Sequence, residues 1–333
     1  MKLSVLDQSP IIAGHSAAQA LDETLKLARR ADELGYTRYW LAEHHAIAAL
    51  ADPCPEILLA RLGAETKRIR IGSGGVLLPY YSAFKTAEVF RMLEALYPGR
   101  IDLGIGRAPG GDQRTARAVG GGRMPTAEDY PEQVWELVHY LDGTLPDDHP
   151  FRKVRVQPEV KSAPELWLLG SSDYSGLLAA QLGVRFSFAH FINAQGGELV
   201  TRAYKARYNA AGREPAPQAA VCCFVICAES DAEAERLAKV VDSRRLDMAY
   251  NLDTPVPTQA QAEKRSGSYT DQERAHIQSQ RARLVHGSAD SCKAKLLEIA
   301  ERFSADELMV LTITGDYATR LDSYERLAKA FQL

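Results

Sequence analysis

Tyr39–His45 reads Tyr-Trp-Leu-Ala-Glu-His-His, an aromatic and apolar run that ends abruptly in three ionisable side chains. Glu43 can accept hydrogen bonds or a proton, and the imidazoles of His44 and His45 exchange protons near neutral pH. Aromatic and apolar residues favour a strand, so the polar trio would stand where that strand leaves the core. The plain alternative is a solvated loop in which Glu43 caps a turn. A second candidate is Ile101–Gly111, Ile-Asp-Leu-Gly-Ile-Gly-Arg-Ala-Pro-Gly-Gly, whose glycines let a flat ligand come close to the backbone. Arg107 there, and Arg123 after Gly120-Gly121-Gly122, offer forked donors to an anion. A third is Leu169-Gly170-Ser171-Ser172 followed by Asp173–Ser175, small residues at a predicted helix start. Backbone N–H groups and the helix dipole favour a phosphate there, although Ser and Asp are also ordinary caps. With Arg107 opposite, the third stretch becomes one side of a phosphate clamp.

Other chemistries fit less well. Gly104-x-Gly106 superficially resembles a dinucleotide fingerprint, but Pro109-Gly110-Gly111 delays the helix that such a loop must open. A metal at Glu43, His44 and His45 would need a further ligand such as His190 or Asp7. No His-x-x-x-His or paired-carboxylate spacing supports one, so no metal is expected. No Gly-x-Ser-x-Gly elbow marks a hydrolase nucleophile.

The elements that would position these residues alternate almost from end to end. Strands are predicted at Lys2–Asp7, Thr37–Ala42, Ile69–Leu78, Ile101–Gly106, Glu165–Leu169, Arg185–His190, Ala220–Ala228 and Glu307–Thr314. Helical spacing falls between them, as at Pro55–Lys67, Ala83–Leu96, Ala127–Leu141 and Asp231–Met248. About eight β–α units predict an α/β fold, a (β/α)₈ TIM barrel with insertions, and a doubly wound sheet is the runner-up. In a barrel the strand ends share one face. Asp7-Gln8-Ser9, Glu43-His44-His45, Ser73-Gly74-Gly75, Gly106-Arg107, Gly170-Ser171-Ser172 and His190 would then meet at one mouth. Residues 150–160 read as a hairpin-like excursion, and the polar stretch 251–284 as a long loop able to cover a site.

Composition bounds the rest. The chain has 333 residues, 46% hydrophobic, with a formal charge of −3, which gives no basic footprint for nucleic acid or an anionic membrane. No transmembrane run or signal-like start is evident. Five scattered cysteines without a Cys-x-x-Cys pair suit a reduced cytoplasm.

Leu41-Ala42-Glu43-His44-His45, Gly72-Ser73-Gly74-Gly75-Val76-Leu77-Leu78-Pro79 and Tyr97–Arg107 resemble the bacterial luciferase-like flavin monooxygenases. Leu169-Gly170-Ser171-Ser172, Val285-His286-Gly287-Ser288 and Asp306–Val310 match as well, so the resemblance spans nearly the whole chain. It implies one domain over residues 1–333, with an insertion at about 251–284 and FMN at the mouth of the barrel. His44 resembles the active-site base, with Glu43 and His45 its neighbours near the flavin. Gly74–Gly75 matches a non-proline cis peptide against the isoalloxazine. Arg107 and Arg123 match flavin-phosphate ligands and Ser171 and Ser172 the phosphate-side strand end, with Gly106 and Gly170 as further cofactor-binding residues. The implied activity is oxidation by O₂ of an aldehyde or other small apolar substrate, with reduced FMN from a separate flavin reductase. A homodimer is implied too. Relatives that transfer hydride with a deazaflavin (F420), and a non-catalytic flavin-binding protein, are the alternatives.

Overall fold

The structure is a computed structural model, and it describes residues 1–107, 112–124, 126 and 128–333. Its strands are β1 (Lys2–Asp7), β2 (Arg38–Leu41), β3 (Arg70–Leu77), β4 (Ile101–Gly106), β5 (Glu165–Gly170), β6 (Arg185–Ala189), β7 (Ala219–Ala228), β8 (Leu284–Ser288) and β9 (Glu307–Leu311). The helices are α1 (Ala17–Leu34), α2 (Pro55–Glu65), α3 (Ala83–Leu96), α4 (Gln113–Val119), α5 (Tyr130–Asp142), α6 (Asp173–Leu182), α7 (Gly197–Ala206), α8 (Asp231–Ala249), α9 (Gln259–Ser266), α10 (Asp271–Gln280), α11 (Ala289–Arg302) and α12 (Tyr317–Phe331). β1 to β7 pair in chain order, and β9 closes the ring by lying between β7 and β1. All these pairings are parallel, as crossovers through helices require. The result is the closed eight-stranded TIM barrel. The strands are buried on both faces and read as near-continuous apolar runs, Ala219–Ala228 above all.

β8 lies outside the ring. Phe224–Ala228 of β7 pairs with Leu284–Ser288, while Ala220–Phe224 pairs with β9. The ten residues of β7 thus serve both the barrel and an outer flap. Its short sequence, interrupted by Gly287, carries too weak a strand pattern to be counted from sequence. The stretch 251–284 is not a structureless loop. It holds α9 and α10, each opened by a capping box, Thr258 with Gln261 and Thr270 with Glu273. α4 also forms where glycine clusters predict loop, because Asp112 Oδ1 accepts the Thr115 N–H at 2.7 Å. Residues 150–160 contain turns and no strand, with a cis Gln157–Pro158 bond. The helix expected from Ala127 begins at Tyr130, and its expected start lies outside the described residues. No described helix is long and apolar enough to cross a membrane.

The floor of the barrel, at the strand starts, is ionic. Arg38 is 2% exposed, yet its guanidinium reaches Glu307 on β9 at 2.8 Å, Asp102 on β4 at 2.9 Å and Glu165 on β5 at 2.8 Å. Arg70 pairs with Asp102 from the next strand, and Trp40 Nε1 donates to Asp102 at 2.9 Å. Burial works against the Arg38 charge, but the three carboxylates outweigh it and raise its pKa. Burial likewise pushes the Asp102 carboxyl up, and Arg38 and Arg70 together hold it below the ordinary 3.8.

Removing Arg38 would leave buried Glu307 without a counter-charge, while Asp102 and Glu165 would keep Arg70 and Arg185. Arg38→Met is expected to cost about 3–5 kcal/mol of unfolding free energy in urea titrations. A loss below about 1 kcal/mol would show that the floor relaxes around the gap. In the unaltered protein Asp102 is a depressed acid, so its contribution is complete above the ordinary carboxylate range. It is lost as pH falls through the lower, folded value.

Candidate active site

Because the ring is closed and parallel, the ends of β2, β3, β4 and β5 open onto one cavity of about 250 Å³. Glu43, His44, Gly74, Gly75, Gly106, Arg107, Gly170, Ser171 and Ser172 all line it. One wall is a bare ledge. The Gly74–Gly75 peptide is cis, and the β3–β4 register shifts between Gly74 and Val76. A Cβ on Gly75 would lie 2.7 Å from the Gly104 carbonyl oxygen and 2.7 Å from Leu169 Cδ1. One on Gly74 would lie 2.7 Å from Leu6 Cδ1. No side chain fits there, so the backbone itself faces the cavity.

Glu43 is 3% exposed and fully engaged. Its carboxylate accepts the Leu77 N–H at 2.9 Å and the Tyr81 hydroxyl at 2.7 Å, and lies 2.7 Å from His45 Nε2. It therefore ties the end of β2 to the end of β3 and sets the ledge in place. Burial, and then Glu43, push the Tyr81 hydroxyl upward, so it remains a donor. His45 does not line the cavity; its ring meets Tyr80 edge-on at 6.2 Å.

His44 turns the other way, into the cavity. Its N–H donates to the Asp52 carbonyl at 3.2 Å, while its ring Nδ1 is buried without a partner. Burial lowers the imidazole to about 4, against the opposing Ala42 carbonyl, and His45 and Arg244 lower it further. The side chain is therefore neutral at pH 7. Sequence reasoning expected titration near working pH, which holds for an imidazole in water and not for one in this wall. Asp52, behind it, was missed. It is 4% exposed with Oδ2 unpartnered, and burial raises it to about 7, with Cys54 N–H opposing and Asp7, Glu56 and Glu43 adding. A lone Asp in a loop gives no sequence signal.

At the other end Arg107 lies over the Tyr174 ring, 4.3 Å from its centroid. Tyr174 belongs to the first turn of α6, whose N-cap Ser172 makes no side-chain capping bond. First-turn N–H groups and a guanidinium thus meet at one corner, although exposed Asp173 stands in the same turn. Arg123 is exposed and does not line the cavity. Residues 108–111, including Pro109-Gly110-Gly111, lie outside the described residues. His190 is buried against Phe303 and does not reach the cavity, and Asp7 is held by Arg320 at 2.5 Å and by the Tyr39 hydroxyl. Most of the remaining wall is apolar, with Leu6, Trp40, Leu77, Leu169, Phe191 and Met309 among it, and Gln8, Ser175 and Ser187 add polar groups. These inward strand residues look like ordinary core in sequence.

The family model described as luciferase-like monooxygenase matches residues 1–307. The luciferase-like monooxygenase of Escherichia coli (strain K12) is 38% identical over 97% of this chain and 94% of its own. The N-acetyl-S-alkylcysteine monooxygenase of Bacillus subtilis (strain 168) is 34% identical over 99% of this chain and 98% of its own. Among solved structures, apo-MsnO8 superposes with a TM-score of 0.93 at 40% identity, covering 100% of this chain and 98% of that one. More distant folds include an FMN-bound Baeyer–Villiger monooxygenase from Pseudomonas putida (TM-score 0.75, 21% identity, 99% of this chain and 97% of that one). An F420-dependent secondary alcohol dehydrogenase also shares the fold (TM-score 0.68, 14% identity, 99% and 98%). The chain belongs to the luciferase-like monooxygenase family.

Proposed function

We propose that the chain is an FMN-dependent monooxygenase that oxidises a small organic substrate, an aldehyde or another molecule with an apolar reacting part, using O₂. The observation that carries this reading is the side-chain-free ledge at Gly74–Gly75, which faces an apolar cavity with an anion corner at one end. A flat ring against the ledge and a phosphate between Arg107 and the start of α6 would suit a flavin mononucleotide. When bound, reduced FMN would supply the electrons that activate O₂. The Baeyer–Villiger neighbour carries FMN by its own description, which supports that choice. F420 in the alcohol dehydrogenase keeps hydride transfer as the second reading.

The residues divide the work. Gly74, Gly75, Gly106 and Gly170 give the cofactor room, while Arg107, Ser171 and Ser172 hold its phosphate. Glu43, in the cavity wall, and His45 behind it would fix the frame against which the cofactor lies. His44, neutral and with Nδ1 unpartnered, would hydrogen-bond or relay a proton near the reacting atoms. Burial that lowers it to about 4 keeps it from retaining that proton at pH 7. α10 sends His276 and Gln280 to the adjoining chamber, where they narrow the access of water. Reduced FMN would come from a separate reductase in the cytoplasm, where the free cysteines stay reduced. A second copy would pack on the strip formed by Ile57 of α2 with Met92 and Leu96 of α3, which are 71%, 59% and 53% exposed.

Anaerobic titration with reduced FMN should show binding, and oxygen mixing should then give substrate-coupled O₂ consumption. Arg107→Ala should weaken FMN about ten- to hundredfold, the worth of a charge-assisted phosphate contact. Binding of F420 in preference to FMN would favour hydride transfer, and O₂ uptake uncoupled from every substrate would favour simple flavin binding.

The His44 ring resonances should titrate near pH 4 in NMR spectra, not near the ordinary 6.5. Its neutral form contributes stability above 6.5 that is lost as pH falls toward 4. A midpoint near 6.5 would show that the ring is not desolvated in the cavity wall, and a His44→Ala protein that binds FMN and turns over normally would remove the role assigned to it.

Sedimentation should give a dimer that Met92→Glu shifts to monomer. A monomer at every concentration before mutation would exclude the strip as a self-association face.

A further inference from the structure

A second chamber of about 580 Å³ adjoins the flavin cavity and shares Gln8, His44, Phe191 and Ile192 with it. Two kinds of surface line it. Phe224, Val241, Leu311 and Ile313 form an apolar side that continues the barrel core. Arg244 and Arg245 of α8 line it too, with Arg283, and among the described residues no Asp or Glu does.

The nearby acids are engaged elsewhere by at least one oxygen, although Asp242 Oδ1 is buried without a partner. Asp247 is bound by Arg265 and by the Thr254 hydroxyl, Asp242 pairs with Arg281 at 2.6 Å, and Asp253 accepts the Ala48 N–H at 2.7 Å. Among the described residues Arg244 has no hydrogen bond or ion pair, although Asp247 and Asp253 act on it at a distance. Arg245 spends one donor on the Gln280 carbonyl at 2.7 Å, and Arg283 one on the Ile192 carbonyl at 2.8 Å. Each guanidinium has five N–H donors, so most remain available. Burial lowers Arg245 to about 10, with Arg283 and Arg281 adding and Asp242 opposing. Arg245 and Arg283 repel each other, and among the described residues none of the three guanidinium groups makes a direct ion pair. An anion among them would therefore be favoured over water-poor cations left facing only more distant carboxylates.

We infer that this chamber is the substrate site and that it selects an anionic head group, a carboxylate or sulfonate, on an apolar body. The inference rests on the monooxygenase reading for the word substrate, and on the chamber alone for the charge. The head would sit among Arg244, Arg245 and Arg283. The body would run along Leu311 and Ile313 toward the rim that His44 shares with the flavin cavity. Selection follows from charge. A cation would be repelled, and a neutral molecule of the same size would leave the guanidinium groups unpaired.

Calorimetric titration of the full chain at low salt in phosphate-free buffer, with hexanoate, hexanesulfonate and 1-hexanol, tests this. At least one anion should bind about tenfold or more tightly than 1-hexanol, and which one does so identifies the head group. Arg244→Gln should weaken that anion by about tenfold while leaving 1-hexanol and FMN within about twofold. Arg283→Gln provides the same comparison should Arg244→Gln fail to fold by circular dichroism. Equal affinity for 1-hexanol and both anions would overturn the inference, as would unchanged anion affinity in the folded variants. A parallel loss of FMN affinity would assign the arginines to the cofactor phosphate and overturn it too. Failure of the unaltered protein to bind FMN, with anion binding intact, would instead strike the monooxygenase reading.

Discussion

The barrel depends on how Arg38 is neutralised. Its guanidinium sits in the ring's floor against carboxylates from β4, β5 and β9, and lies 4.7 Å from the Trp167 ring centroid. One side chain therefore ties together strands from different parts of the circle. Each carboxylate is held by more than one donor, since Asp102 is also bound by Arg70 and Trp40, and Glu165 by Arg185. Satisfied in this way, buried charge is tolerable at the floor, and the opposite end of the barrel is left free for small residues.

Closure of the ring then decides where chemistry is possible. The ledge at Gly74–Gly75 exists because β3 and β4 approach so closely that a Cβ would strike backbone at Gly104. Glu43 holds that arrangement from β2 through the Leu77 N–H and the Tyr81 hydroxyl. A carboxylate at the mouth of an active site is easily read as a catalytic acid. Here its lone pairs are committed to positioning, and the open valence belongs to His44.

Charge is also sorted along the barrel axis. The chain carries a formal charge of −3, yet the chambers at its mouth are lined by arginines. Several acids near the mouth are held by their own partners, Asp7 by Arg320, Glu43 by the Leu77 N–H, Tyr81 and His45, and Asp247 by Arg265, while Asp52 keeps one oxygen unpartnered. Arg107 stands at one end of the connected chambers, and Arg244, Arg245 and Arg283 at the other. Between them lies a neutral imidazole in apolar walls. Net charge reports solubility and long-range attraction, and says little about a cleft whose counter-ions are used elsewhere.

By itself the sequence determined the alternation of strand and helix, the eight barrel strands and the polar strand ends, because these rest on periodicity and local turn chemistry. Ala83–Leu96 and Ile101–Gly106 appear in the structure with the limits read from sequence. Residues 41–45, 72–79 and 97–107 also carried the family resemblance. Tertiary structure alone decided the rest. It placed β8 outside the ring, turned 251–284 into α9 and α10, and brought Gln280 of that insertion to a chamber shared with His44. It gave Glu43 and His44 to the cavity lining, Glu43 with its carboxylate engaged and His44 with Nδ1 unpartnered, put His45 behind them, and left Arg123 on the surface. It also set His44 and Asp52 far from their ordinary ionisation. These outcomes depend on burial and on partners distant in the chain, and no local pattern of residue types encodes either.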